Sequence, residues 1–193
     1  MNYIAHAHFS DSFDLFMTGQ LLGDFATNSI LEGCDHELIR GVQAHRELDH
    51  FTDTHPSFLA GCKILEESAQ RYAPVVMDIL IDHVLVSRWS FFHREDYFSF
   101  LDKLYEALRF HAEVLPERMA RPAKSMYSHD WFSRFGTSEG LEALLIRLSS
   151  RVRRPEWIDA TIDCVPQLIT EVEPHASDLL KDEGLLKYSK NGF

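Results

Sequence analysis

The segment 75–92, VVMDILIDHVLVSRWSFF, constrains this chain more than any other. Turned at about 100° per residue, Val75, Ile79, Asp82, Val86 and Trp89 share one helical face, and Leu80, Ile81, Val84 and Leu85 cover much of the remainder. A helix that is apolar nearly all round is a buried helix. Asp78, Asp82 and His83 therefore stand in the middle of a core element. Buried charge is costly unless it is paired or coordinates a metal. Arg88 is the one cation nearby, so two carboxylates at i, i+4 beside an imidazole are more easily neutralised by a metal than by a salt bridge. The competing reading is a core ion pair.

A buried helix needs helical neighbours, and the rest of the chain supplies them. Apolar residues recur at helical spacing over 12–22, 36–53, 57–72, 97–114, 139–150, 156–172 and, more weakly, 175–188. Gly23 ends the first of these, Asp35 and Asp96 are N-caps for 36–53 and 97–114, and Pro74 opens 75–92. Pro166 is expected to kink its helix. Residues 116–136, broken by Pro116, Pro122 and Gly136, read as loop plus a short helix. No alternating strand pattern, internal repeat or linker appears. The expectation is an all-α fold, one helical domain over 1–193, with the tail 189–193 frayed.

Composition narrows the function classes. Apolar residues make up 45% and charged residues 25% of the 193, ordinary globular values. The 19 Lys and Arg against 30 Asp and Glu give a net charge of −11, which excludes a general nucleic-acid footprint. Apolar runs broken by Asp78, Asp82 and His83 fall short of a membrane span. The first ten residues lack a basic, then apolar, export signal. Cys34, Cys62 and Cys164 form no CxxC pair and read as reduced thiols. A soluble cytoplasmic protein is expected, with neither nucleic acid nor membrane as partner.

Against 3 cysteines stand 11 histidines, and histidine is the commonest metal ligand. Over 38–53, Leu38, Val42, His45, Asp49 and Thr52 fall within about 80° of one another. His45 and Asp49 thus continue the apolar stripe and meet four residues apart. Asp24 follows the Gly23 break between Leu22 and Phe25. His6 and His8 cannot share a helix face, so at most one joins a given site. His50, His55, His93, His111 and His175 read as surface or packing residues. Carboxylates mixed with imidazoles and no nearby thiolate suit Mn²⁺, Mg²⁺ or Fe²⁺ better than a structural zinc. A site of Asp24, His45, Asp82 and His83 on different helices would leave positions for water and substrate. That pattern points to metal-assisted hydrolysis, in which the metal lowers the pKa of bound water and holds a phosphoryl oxygen. No P-loop, GxSxG or HExxH motif competes.

Met1-Asn2 with His6, Gly19-Gln20-Leu21-Leu22-Gly23-Asp24-Phe25, and Gly41 with His45-Arg46 and Asp49 resemble the acyl carrier protein phosphodiesterase family. So do Thr52-Asp53, Asp82-His83-Val84-Leu85-Val86-Ser87-Arg88-Trp89, Trp131 and Arg153-Arg154-Pro155. The likeness runs in order over about residues 1–155. It implies an all-helical, non-standard relative of the HD phosphohydrolases that removes the phosphopantetheine arm from holo acyl carrier protein with Mn²⁺. The standard His-Asp dipeptide is here reversed as Asp82-His83. The literal His129-Asp130 lies outside the matching blocks and reads as a decoy.

Under this reading Asp24, His45, Asp82, His83 and, with less weight, His6 hold the metal. Asp49 orients His45, and Arg46 or Arg88 steadies the phosphate. The alternatives are a small nucleotide as substrate, or a helical interaction protein whose His/Asp set is structural. The family's carrier proteins are acidic, so docking onto a chain of net charge −11 calls for a local basic patch. Arg147, Arg151, Arg153 and Arg154 form the densest candidate, and Arg118, Arg121 and Lys124 a second.

Overall fold

Short polar side chains and prolines set most of the helix starts. Asp14 accepts hydrogen bonds from the N–H groups of Phe16 and Met17, Asp35 from Glu37, Asp96 from Ser99 and Thr137 from Gly140. His55 does the same with its Nδ1 for Ser57, while Pro56, Pro74, Pro155 and Pro166 occupy first-turn positions, where a missing N–H costs nothing. The computed structural model describes residues 1–192, and among them there are twelve α-helices and no strand. In chain order these are α1 (Tyr3–Ser10), α2 (Leu15–Leu21), α3 (Asn28–Leu31), α4 (His36–Thr54), α5 (Pro56–Ala69) and α6 (Ala73–Ser87). They continue as α7 (Trp89–Phe92), α8 (Tyr97–His111), α9 (Glu117–Ser128), α10 (Ser138–Ser149), α11 (Pro155–Asp163) and α12 (Val165–Leu180). The fold is all-α.

Two compact units interleave along the chain. One comprises Met1–Asn2, Phe51–Phe92 and Arg134–Asp182. In it α6 packs against α5, α10 and α12, and α11 packs on α5 and α10. All of α6 from Ile79 to Val86 is buried. Gly61 of α5 lets α6 approach, because a Cβ there would lie 2.6 Å from the Met77 sulfur. The other unit comprises Tyr3–His50, His93–Ser133 and the residues from Glu183 onward. There α1 packs on α2, α2 on α8, and α8 on α9. Gly19 and Gly41 press the backbones of α2 and α4 together: Cβ atoms there would meet Leu38 O at 2.3 Å and Phe16 O at 2.0 Å.

Several boundaries differ from those the sequence suggests. The segment 75–92 breaks at Arg88, whose φ of −118° and ψ of 29° leave the helical region, so α6 and α7 are separate. Pro166 starts a helix rather than kinking one, since Cys164 has already left helical geometry. Residues 117–128 form a three-turn helix through Pro122. The lost backbone bond costs about 3 kcal/mol, and full burial of Met119, Ala123 and Met126 on one face offsets it. The weak stretch 175–188 divides into the end of α12, which runs across Pro174, and a 3-10 turn over Glu183–Tyr188. The tail expected to fray is tied down as far as Gly192, with the Lys190 N–H donating to Ser10 O at 2.9 Å; Phe193 lies outside the described residues.

Candidate metal centre

His6 sits on the buried face of α1, and His45 and Asp49 sit one turn apart on α4. The α2–α4 contact at Gly19 and Gly41 brings Gln20 beside His45, whose Nδ1–H donates to the Gln20 carbonyl at 2.8 Å. The other ring nitrogen, Nε2, faces Asp49 Oδ2 at 3.1 Å and Asp24 Oδ1 at 3.4 Å. Asp49 also spans to α1, its Oδ1 accepting from His6 Nε2 at 3.2 Å. The two imidazoles stack, with centroids 4.0 Å apart and planes within 24°. Gly23 makes room for this, because a Cβ there would fall 2.3 Å from His45 Cγ.

The electrostatics follow from the hydrogen bonds. Burial opposes charge on His45, yet the carboxylates of Asp24 and Asp49 raise its pKa to about 9. A carbonyl on one side and carboxylates on the other leave it protonated on both nitrogens at neutral pH. His6 is driven the opposite way, to about 4, by burial and then by the neighbouring His45 charge. Burial would raise Asp49, but hydrogen bonds from His45 and His6 hold its carboxyl far below the usual range. Asp24 is held low chiefly by its hydrogen bond with His45. Its side chain is 64% exposed, so it forms the wet edge of the cluster.

His6, His45 and Asp49 each offer a ligand atom, all within 4.8 Å of one another, and they are the one such group of three among the described residues. Two imidazoles with a carboxylate suit a divalent first-row cation. The surroundings fit as well: the Gln20 carbonyl fixes the ring orientation of His45, as outer-shell acceptors do for metal-bound histidines. His6 Nδ1 is buried without a hydrogen bond, and burial with the nearby His45 charge keeps that ring neutral. A bound cation would take the place now occupied by the His45 Nε2 proton.

The residues expected from sequence divide accordingly. Asp24, His45, Asp49 and His6 meet, with His6 directly against Asp49 and stacked on His45. Asp49 faces both rings, which puts its carboxylate among the candidate ligand atoms as well as beside His45. Asp82 and His83 lie on α6, in the other compact unit. Asp82 is 0% exposed and is not left without a partner. His83 donates from Nδ1 to Phe135 O at 2.9 Å, and burial lowers its pKa. Arg46 donates to Asn28 Oδ1 and Ala26 O, bracing the segment after Asp24. Arg88 is paired with Glu173 at 2.5 Å. His8 rests edge-on against Phe9 and His93. The decoy dipeptide is exposed: His129 bonds Ser125 O, and Asp130 accepts from the Tyr105 hydroxyl. Arg151, Arg153 and Arg154 are exposed between α10 and α11, with Arg154 lying over the Trp157 ring. The Gln20 carbonyl was not foreseeable, since every residue carries that group and only the helix crossing selects one.

Comparison with known proteins follows this geometry. The family profile described as acyl carrier protein phosphodiesterase matches residues 1–182. The chain is 26% identical to a protein of that name from Pectobacterium atrosepticum over 157 residues, 81% of this chain and 80% of the relative. It is also 26% identical to one from Photorhabdus laumondii over 168 residues, covering 86% and 85%. A third, from Enterobacter sp. strain 638, is 26% identical over 180 residues, covering 90% and 89%. No solved structure matches.

Proposed function

The chain belongs to the acyl carrier protein phosphodiesterase family, and we propose that it hydrolyses the phosphodiester joining 4'-phosphopantetheine to the serine of holo acyl carrier protein. The carrying observation is the convergence of His6, His45 and Asp49 from two helices on one point. These residues, with Asp24 at the solvent edge, hold a divalent cation in this reading, with Mn²⁺ preferred and Mg²⁺ or Fe²⁺ as substitutes. When bound, such a cation polarises a phosphoryl oxygen and lowers the pKa of water.

The chain's own side chains prepare that chemistry. The Gln20 carbonyl holds the Nδ1 proton of His45, so that Nε2 is the nitrogen turned to the ligand. His6 is neutral at physiological pH, and moving its one proton from Nε2 to the unbonded Nδ1 would free Nε2 as a ligand without loss of a proton. Asp49 supplies a fixed negative charge between both rings, and Asp24 a second one where substrate enters. Arg46 and Arg88 are occupied by Asn28, Ala26 and Glu173, so neither carries an assigned phosphate contact. The exposed arginines 151, 153 and 154 are proposed to receive the carrier protein.

Incubation of the protein with holo carrier protein, followed by intact-protein mass measurement, tests the reading. Loss of the arm with Mn²⁺ and its retention in chelator are expected. Retention of the arm under Mn²⁺, Mg²⁺ and Fe²⁺ alike would end the proposal, and turnover of a small nucleotide instead would move the substrate.

A further inference from the structure

The family match ends at residue 182, yet residues after it reach the helices that carry His6, Gln20, and His45 with Asp49. The Lys190 N–H donates to Ser10 O at the end of α1, the helix that carries His6. The Lys190 ammonium is paired with Asp14, the N-cap of α2, and stands 3.5 Å from Glu37 of α4. Arg40 of α4 donates back to Lys190 O at 3.4 Å. One turn earlier, Tyr188 O accepts from the Gln20 side chain at 3.5 Å, and Gln20 is the residue whose carbonyl holds His45. Gln20 is fully buried and its Oε1 has no hydrogen bond, a costly arrangement for a side chain with only a packing role.

We infer that residues 183–192 form a clasp that positions the cluster, with Lys190 and Gln20 as positioning residues. Three helices contribute the donors and their support: α1 brings His6, α2 brings the Gln20 carbonyl, and α4 brings His45 and Asp49. Short elements such as α1 and α2, of 8 and 7 residues, are marginal helices unless held by tertiary contacts. The clasp ties their ends to α4 through one lysine. Its effect reaches the donors through backbone placement and touches no reacting atom. The inference concerns the geometry of the cluster and holds whichever phosphodiester is cleaved there.

The test uses the full chain and two variants, Lys190→Met and Gln20→Met, with Lys190→Arg as the rescue. Ring N–H signals of His45 in the metal-free protein, read by ¹H–¹⁵N NMR, report the Nδ1–H bond to Gln20 directly. Mn²⁺ binding by calorimetry reports the donor geometry. Both methionine variants are expected to shift or broaden the His45 Nδ1–H signal. They should also weaken Mn²⁺ binding by about tenfold, the lower end for losing an outer-shell partner. Lys190→Arg should restore both. Should Lys190→Met fail to fold, Gln20→Met reads the same link from inside. Wild-type signals and affinity in a folded Gln20→Met or Lys190→Met protein would overturn the clasp. A wild-type protein that binds no Mn²⁺ but shows the variant-dependent His45 shift would overturn the metal reading and leave the clasp standing.

Discussion

At His45 and Asp49 a proton holds the position that the proposed cation would take. In the metal-free protein His45 is protonated up to a pH of about 9 because two carboxylates face its Nε2. A metal ligand must be deprotonated, so if the proposed Mn²⁺ binds at His45 it displaces that proton. Below about 9, apparent Mn²⁺ affinity should therefore rise by about tenfold per pH unit. Calorimetry between pH 6.5 and 8.5 checks this, and a flat affinity would show that Nε2 is not a ligand. The same shift has a stability consequence of definite sign. A raised folded pKa stabilises fully below the ordinary value of 6.5 and is lost as pH climbs through about 9. His6, depressed to about 4, withdraws stability as pH falls from 6.5 towards 4. The metal-free melting temperature should accordingly peak near neutrality and decline on both sides.

Helices α2 and α4 work as a pair because glycines let their backbones touch. Gly41→Ala places a methyl on the Phe16 carbonyl and should destabilise by roughly 1–3 kcal/mol or more, as overpacked sites do. Gly23→Ala strikes the His45 ring instead. It should abolish Mn²⁺ binding while chemical denaturation shows a smaller loss than for Gly41→Ala. Equal loss of stability with intact metal binding would show that the His45 ring can move aside. Helix α6 makes the opposite case. Asp82 is wholly enclosed on α6 and is not left without a partner. Asp82→Asn should lower the melting temperature of the metal-free protein and leave Mn²⁺ affinity unchanged. A stable variant that has lost Mn²⁺ would make Asp82 a ligand after all.

The chain carries a net charge of −11, so the acidic carrier protein of the proposed reaction would meet overall repulsion. Between α10 and α11, Arg151, Arg153 and Arg154 stand exposed in the same unit as Arg71, whose guanidinium lies over Tyr72 and Trp157. Guanidinium groups laid on aromatic faces keep their charge while giving up part of their freedom, which favours a planar, anion-facing surface. Reversing Arg153 and Arg154 to Glu should raise KM for holo carrier protein, with kcat little changed. The effect should shrink at high salt, where exposed charges are screened beyond about 8–10 Å. A KM unchanged at low salt would remove this patch from the interface.

Much of the protein was legible along the chain. The apolar circuit of 75–92, the stripe through Leu38, Val42, His45 and Thr52, and the caps at Asp35 and Asp96 all depend on residues within a few turns of one another. Local periodicity and capping chemistry determine such features whatever the rest of the chain does. His45 with Asp49 was legible for the same reason, being i, i+4 on one helix. The family's blocks marked His6, Asp24 and the glycines around them. What periodicity cannot carry is which buried polar group meets which. His6 lies 43 residues from Asp49 and joins it only because α1 settles beside α4. Asp82, enclosed on α6, meets every local expectation of a ligand, yet its own helix does not say which group answers its charge. Burial of a charge is written into a helix's own sequence, whereas the identity of its partner is fixed by the packing of distant elements. The same packing chose the Gln20 carbonyl and brought Lys190 back across the chain to the helices that hold His6 and His45.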